Sequence, residues 1–460
     1  MIDQSRPLTD RTLLRFYLPL VATWLMMAVE GPFLAALIAR LADPKINLAA
    51  YGVVMSLGWI VEAPVILMLS ASNALVRDKL AFLKLRRFAM RLNVAVTAVM
   101  LLLVVPPVFD LVARRWIALP PDVAEMAGRA IFFMIVWPGA IGFRRFYQGI
   151  LIREGRPQAV TAGTVIRLAT MAAAGLGLGL GLRLPGALVG AGALGAGVFG
   201  EAAASWIMAR RPVQRLLAQA DDLCTYGRNL TSGKIWQFYA PMALMSFLAL
   251  AIYPMTTFFM SRSRYPLESL AVIPVMGALV FLFRTPGIAY QEVVIALLGD
   301  NFENHARLKR FAKIAAACAA GALALVAYSP LAMVWLRDVS GLSPELARFA
   351  LVPLRILFIL PATEVFLAFM RGHLVKAGRT WPLVGGVAAQ IAAVLGTLLL
   401  TVGPLRFVGA TAAAVAQLAG YAVGTVILGF SVGRVVRDIR AAGTPDEPEV
   451  ISEPLAETVR

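Results

Sequence analysis

Apolar runs of about 20 residues recur throughout this sequence, and each is long enough to cross a bilayer as a helix. Hydrophobic residues make up 60% of the 460 positions, against about half in a soluble globular chain. We predict twelve spans, with approximate bounds 12–39, 48–75, 88–110, 124–149, 157–182, 186–209, 235–260, 267–297, 310–336, 345–371, 381–403 and 407–432. The predicted fold class is therefore an all-α polytopic membrane protein.

Lys and Arg residues are concentrated before the first span and after each even-numbered span, with an excess of about two to one over the opposite loops. This asymmetry predicts that both termini lie in the cytosol and that the chain is a multi-pass protein of the cell (inner) membrane. The run Leu13–Ile38 is interpreted as a retained first span rather than a signal peptide. Topology also explains the net charge of +17, so no nucleic-acid partner is expected.

Few residues of the sequence suit a cofactor. Cys224 and Cys318 are far apart, and the chain has only two histidines, so neither a disulfide framework nor a histidine-rich metal site is expected. The glycine-rich stretches Gly175–Gly179 and Gly190–Gly200 lie in apolar helices with no preceding strand. They indicate close packing of spans five and six rather than a nucleotide site. No metal motif and no serine elbow is found, so an enzyme is not expected.

The two parts of the chain repeat each other. The stretch Phe16–Pro19 returns 222 positions later as Phe238–Pro241, and 149–156 matches 372–379 at an offset of 223. Two six-span halves with the same orientation predict a parallel repeat about an axis along the membrane normal. The predicted domains are 1–209, a linker 210–234, a second half 235–433 and a disordered tail 434–460. Several prolines within the predicted spans recur at equivalent positions of both halves. They are interpreted either as static kinks or as hinges.

Ionisable and polar groups inside the predicted spans are the candidate functional residues, because such groups are costly in lipid and commonly mark ion and substrate pathways. The candidates for substrate binding are Asn73, Arg167, Arg284, Gln291 and Arg355. The candidates for binding a coupling ion or proton are Glu30, Glu62, Glu201, Glu292 and Glu364.

The repeat differs at two charged positions, where Glu30 corresponds to Ile252 and Glu62 to Arg284. If these groups face a central gap, a first-half acidic wall lies opposite Arg284 and Arg355. Arginine there is suited to hold a carboxylate or phosphate group through paired hydrogen bonds. The alternative is that acids and arginines pair only to reduce the cost of insertion.

Two adjacent arginines, Arg144 and Arg145, close the predicted fourth span on its cytosolic side. Arginine near a helix end can extend its charged group to the interface. We therefore expect these two side chains to snorkel.

Several of these residues carry a family resemblance. The stretch Leu48–Leu57, Glu30, Pro286 followed by Glu292, and above all Val352–Ile356 resemble the progressive ankylosis family. That family belongs to the wider superfamily of multidrug and toxic-compound extrusion (MATE) carriers and lipid flippases. The resemblance implies a carrier of two six-helix lobes. Animal members are associated with efflux of citrate, ATP and pyrophosphate, and extrusion carriers of the superfamily couple export to sodium or proton entry.

The resemblance assigns functional positions to Glu30, Glu292 and Arg355, whereas Glu62 and Arg284 have no clear counterpart in the family pattern. We expect a monomeric secondary-active exporter of organic anions or phosphates, with the bilayer and a proton or sodium ion as partners and no cofactor. A drug or cation extruder and a lipid-linked flippase are the alternatives.

Overall fold

The computed structural model describes residues 8–38, 40–117, 119, 121–260 and 262–443, which form helices joined by short loops. The helices of the first half and the following segment are α1 Asp10–Ile38, α2 Pro44–Glu62, α3 Met68–Leu75, α4 Lys79–Val104, α5 Pro106–Asp110, α6 Pro121–Ala130, α7 Trp137–Arg153, α8 Pro157–Leu176, α9 Gly186–Leu217 and α10 Thr225–Asn229. Those of the second half are α11 Ser232–Met260, α12 Pro266–Leu297, α13 His305–Ala327, α14 Leu331–Met333, α15 Pro344–Ile356, α16 Leu360–Lys376, α17 Trp381–Val402 and α18 Gly409–Gly443.

Eleven helical segments in the described part of the chain are long and apolar enough to cross a membrane. Two of them combine shorter helices, over Pro121–Arg153 and Pro344–Lys376. In both, a short 3-10 turn precedes a proline, Pro138 in α7 and Pro361 in α16. The predicted all-helical membrane fold is confirmed, and these two kinks recur at equivalent places of the two halves.

The second predicted span, 48–75, is not continuous. Helix α2 ends at Glu62, a turn follows, and α3 begins at Met68. Pro64 lies in that turn, where its ring removes the backbone donor that would extend the helix. The counterpart Pro286 is accommodated inside the continuous helix α12. Only the first half therefore has an interrupted helix here, with Glu62 as the last residue before the break.

The helices alternate in direction, which defines two ends of the bundle. We call the end where α1 begins at Asp10 the basal end, and the end where α1 finishes at Ile38 the apical end. Helix α12 finishes at the basal end, at Leu297.

Buried apolar side chains join the two halves at the basal end. One continuous cluster includes Tyr17 and Phe82 of the first half together with Tyr239 and Tyr290 of the second. Nearer the apical end, the first half has its own cluster around α2, α4, α6 and α9. The apical clusters of the second half contain only second-half residues among those described. The halves therefore share a core basally and separate towards the apical end.

Close approach of α8 and α9 depends on small residues, as the glycine-rich sequence predicts. A Cβ atom added to Gly197 would lie 3.0 Å from the backbone oxygen of Arg167. Such contacts bring the polar side chains of the two helices within reach of each other.

The predicted linker and tail are partly helical. Helix α9 continues to Leu217, and α10 packs beneath α4, where Asp78 accepts a hydrogen bond from the Gly227 amide at 2.7 Å. Helix α18 continues to Gly443, beyond the predicted start of the tail at 434. An ion pair of 2.9 Å between Arg379 and Asp438 and the burial of Val435 stabilise that extension. The rest of the predicted tail, 444–460, lies outside the described residues.

Candidate functional site

A buried charge cluster lies inside the first half, centred on Glu201 of α9, whose side chain is fully buried. Its Oε1 accepts hydrogen bonds from Gln148 Nε2 at 2.9 Å and Thr164 Oγ1 at 3.1 Å. Its Oε2 accepts from Arg144 Nη1, and from Arg167 Nη1 at 3.4 Å. Donors from α7 and α8 therefore compensate the burial of this carboxylate.

Arg167 links this centre to α1. Its Nη2 donates to Glu30 Oε2 at 2.6 Å, and the two side chains are 5% and 9% exposed. The second oxygen of Glu30, Oε1, is buried and has no hydrogen-bond partner among the described residues. The two acids and the guanidinium thus form the chain Glu30–Arg167–Glu201 across α1, α8 and α9.

Glu62 and Arg145 lie at the edge of the same cluster. Both are buried, and neither makes a hydrogen bond or an ion pair through its charged group within the described part of the chain. The guanidinium of Arg145 lies 5.4 Å from the centroid of the Trp24 ring, a cation–π contact. The site therefore contains one carboxylate and one guanidinium that nearby side chains do not satisfy.

The prediction that Arg144 and Arg145 snorkel is wrong. Helix α7 continues basally to Arg153, so both arginines lie two turns inside the helix, 1% and 7% exposed. Arg144 is held by Glu201 instead of by the interface.

A second charge cluster lies in the second half, around Glu364 of α16. Arg284 of α12 donates to Glu364 Oε2 from Nη2 at 2.5 Å and from Nε at 3.1 Å. Arg284 also contacts the Tyr421 hydroxyl, and Arg371 Nη1 lies 3.5 Å from Glu364 Oε1. Two guanidinium groups therefore contact one carboxylate.

Three predicted site residues lie where the halves meet. Asn73 of α3 donates to Glu292 Oε2 of α12 at 3.0 Å, and Ser70 donates to Glu292 Oε1. Gln291 donates to Ser70 Oγ at 3.0 Å. Asn73, Gln291 and Glu292 are thus part of a buried network that connects the first half to the second.

Two tyrosines make equivalent contacts across the same junction. Tyr17 donates to the Pro286 carbonyl at 3.1 Å, and Tyr239 donates to the Pro64 carbonyl at 2.6 Å. Donors and acceptors are both related by the 222-residue offset of the repeat. The internal repeat therefore appears as a pseudo-twofold pair of hydrogen bonds at the junction.

Charged loops complete the junction at the basal end. Asp300, in the loop after α12, lies 2.9 Å from Lys376 of α16 and 3.5 Å from Arg77 of the first half. Partial burial alone would raise the pKa of Asp300, but the hydrogen bond and charge of Lys376, together with Arg77, hold that pKa below its usual value.

The structure does not form the predicted wall of acids facing arginines. Glu30 pairs with Arg167 in its own half, and Arg284 pairs with Glu364 in the other. Arg355, at the end of α15, is exposed, with its guanidinium 5.5 Å from the Tyr328 ring. It makes no ion pair with a described acid, and its Nε donates to the Ala327 carbonyl at 3.4 Å.

Sequence reasoning missed several members of these clusters. Arg144 and Arg145 correspond in the repeat to the apolar residues Leu367 and Ala368, which is the same kind of mismatch that singled out Glu30. That comparison would have found them. The uncharged partners Gln148 and Thr164 carry no comparable signal, because polar residues at such positions also occur on ordinary packing faces.

Solved structures share this architecture. A mutant of the Vibrio cholerae MATE transporter VcmN matches with a TM-score of 0.73 and 14% identity, covering 93% of this chain and 97% of that chain. The eukaryotic MATE transporter AtDTX14 matches with a TM-score of 0.68 and 13% identity, covering 94% and 98%.

A third similar structure is a MOP superfamily transporter from Pyrococcus furiosus, with a TM-score of 0.75 and 14% identity, covering 94% of this chain and 96% of that chain. Its binding pocket is described as having reverse polarity, which suggests a different function for that protein. Neither a protein-family model nor a curated protein sequence matches the chain at a significant level. The chain therefore has the MATE transporter fold.

Proposed function

We propose that this protein is a secondary-active exporter that works by alternating access between its two halves. The observation that carries this proposal is that the halves share a core only towards the basal end and separate towards the apical end. Rocking of two such bundles about a site at mid-depth is the general mechanism of repeat-built carriers. Basal contacts would open in the opposite state. With the basal end in the cytosol, as the Lys and Arg distribution predicts, the conformation described here opens outward.

The proposed substrate is an organic anion or a phosphate compound. The arrangement of Arg284 and Arg371 around the carboxylate of Glu364 supports this choice, because guanidinium groups are suited to bind carboxylate and phosphate groups. Arg145 supports it in the first half, since no described carboxylate forms an ion pair with it. Citrate, nucleotide and pyrophosphate are the compounds that the progressive ankylosis resemblance suggests.

The proposed coupling site is the acidic part of the first-half cluster. Glu30 has one oxygen without a hydrogen-bond partner in the described part of the chain, and Glu62 has no ion pair with a described cation. A proton or a sodium ion bound there would compensate a buried negative charge. Ion binding and release at these residues would then alternate with binding of the anion.

Transport assays in proteoliposomes test this function. We expect efflux of citrate or nucleotide under an imposed proton or sodium gradient, and loss of that flux in Arg284→Ala. The matched control is Arg348→Ala, which removes an exposed arginine of α15. Substitution Glu62→Gln should reduce the dependence of flux on the gradient more than it reduces binding of the anion.

A cation extruder is the second candidate, and Glu62 favours it, because a buried carboxylate that forms no ion pair with a described cation could itself bind a cationic substrate. Efflux of lipophilic cations that depends on Glu62 but not on Arg284, with no flux of any anion, would establish that function instead.

A further inference from the structure

A groove of about 340 Å³ lies in the first half, away from the charge clusters described above. It is lined by Arg86 of α4, Tyr147 of α7, and Trp206, Arg210, Val213 and Gln214 of α9. Helix α7 forms its floor, since Tyr147 is buried while Arg86 and Arg210 are exposed.

The two arginines lie at the same height above the basal end. Arg86 follows the start of α4 at Lys79 by two helical turns, and Arg210 precedes the end of α9 at Leu217 by the same distance, about 10 Å. Neither guanidinium forms an ion pair with any acid in the described ranges. The groove therefore presents two positive charges of which neither is neutralised by a described carboxylate.

Polar and aromatic groups complete the groove. Tyr147 is 4% exposed, and its hydroxyl makes no hydrogen bond to a described residue. The guanidinium of Arg210 stacks on the Trp206 ring, 4.0 Å from its centroid. The hydroxyl of this buried residue is thus a donor that opens into the groove between two arginines, and it points to an anionic ligand.

We propose that this groove binds the phosphate group of an anionic phospholipid in the leaflet that covers the basal end. Its height is that of a membrane interface, where tryptophan, tyrosine and arginine are favoured. Apolar side chains continue the surface of the same two helices towards the membrane centre: Val94 of α4 is 70% exposed and Phe199 of α9 is 65% exposed. These residues would contact the acyl chains while the arginines and Tyr147 bind the phosphate. The proposal does not depend on the transported substrate.

The test measures thermal unfolding of the full chain in an uncharged detergent during lipid titration. One arm adds dioleoylphosphatidylglycerol, a second adds dioleoylphosphatidylcholine, and a third adds inorganic phosphate. A ligand that binds only the folded state raises the apparent melting temperature. The variants are Arg86→Gln/Arg210→Gln and the matched control Arg87→Gln/Arg211→Gln. The control removes the same charge from exposed neighbours that lie about 100° around each helix.

We expect the anionic lipid to raise the melting temperature most in the wild-type protein. Its half-saturating concentration should rise about tenfold or more in Arg86→Gln/Arg210→Gln and stay within about twofold in the control. Tyr147→Phe, which keeps the ring, should weaken binding by a few-fold. If the double variant does not fold, the single variants Arg86→Gln and Arg210→Gln provide the same comparison.

Three outcomes would overturn the proposal. Equal loss of binding of the anionic lipid in the two double-arginine variants would mean that the lipid is attracted to the basic surface in general. Equal stabilisation by dioleoylphosphatidylcholine would mean that the groove does not recognise the negative charge of the lipid. A shift with inorganic phosphate that matches the anionic lipid and needs the same arginines would mean a site for soluble anions.

Discussion

At the scale of single residues, the buried glutamates of the first half differ in how far their charge is compensated. Glu201 accepts hydrogen bonds from four side chains, Glu30 is paired through one oxygen, and Glu62 has no hydrogen bond among the described groups. Removing one partner of a buried ion pair is strongly destabilising, because the remaining charge is left in a low-dielectric interior. The three acids should therefore respond differently to neutralisation.

We predict that Glu201→Gln lowers the free energy of unfolding by about 3 kcal/mol, because Arg144 would lose its carboxylate partner. Glu62→Gln is the matched control, since the same neutralisation removes a charge that forms no ion pair with a described residue, and the stability of this variant should be unchanged or higher. Thermal or denaturant unfolding in detergent measures both. Equal destabilisation by the two substitutions would contradict the described pairing.

At the scale of elements, the break between α2 and α3 and the continuous helix α12 meet at the junction of the halves. The carbonyl of Pro64 in the break accepts from Tyr239, while that of Pro286 in α12 accepts from Tyr17. Each net hydrogen bond contributes about 1 kcal/mol. In the proposed transport cycle, the two bonds together would bias the chain towards the basally closed conformation.

The variant Tyr17→Phe/Tyr239→Phe should shift the equilibrium towards basal opening by about 1–3 kcal/mol. Spin labels at Ala218 and Lys309, both exposed near the basal end, would report a larger population of long distances. The control is Tyr290→Phe, whose hydroxyl donates to Leu308 within the second half at 2.7 Å. An unchanged distance distribution in the double variant would show that these bonds do not bias the equilibrium.

The sequence predicted elements better than it predicted contacts. Hydropathy identified the spans, and the repeat located the kinks near Pro138 and Pro361, because both signals can be read from the sequence without knowing which helices pack together. The break at Pro64 was not predictable from the proline alone, since Pro286 at the equivalent position leaves its helix intact. The partners of Glu201 also could not be assigned, because periodicity gives the face of a helix and not the neighbour against which that face packs.

At the scale of the whole molecule, the basal end is closed by three layers of contacts between the halves. These are the tyrosine hydrogen bonds, the network around Glu292, and the Arg77–Asp300 ion pair. Because the last of these is in the loops, it is the layer most accessible to water and to pH.

The lowered pKa of Asp300 predicts an acid-dependent loss of stability. Its contribution is present above the ordinary value of 3.8 and is lost as the pH falls through the lower pKa of the folded state. The melting temperature of the wild type should therefore fall more steeply below about pH 4 than that of Asp300→Asn. Asp438→Asn is the control, since its ion pair with Arg379 lies within the second half. If the melting temperature of Asp300→Asn falls with pH as steeply as that of the wild type, Asp300 does not contribute to the acid-dependent loss of stability.

The reciprocal contacts of Tyr17 and Tyr239 have the form of an isologous interface, in which the same patch of two subunits binds itself across a twofold axis. Each half carries both the donor and the acceptor of the contact. The chain thus joins its two halves covalently. Two separate six-helix subunits with the same contacts would form a symmetric homodimer. These two contacts retain that symmetry, whereas the buried charges do not, so the halves differ in chemistry while they share this pair of contacts.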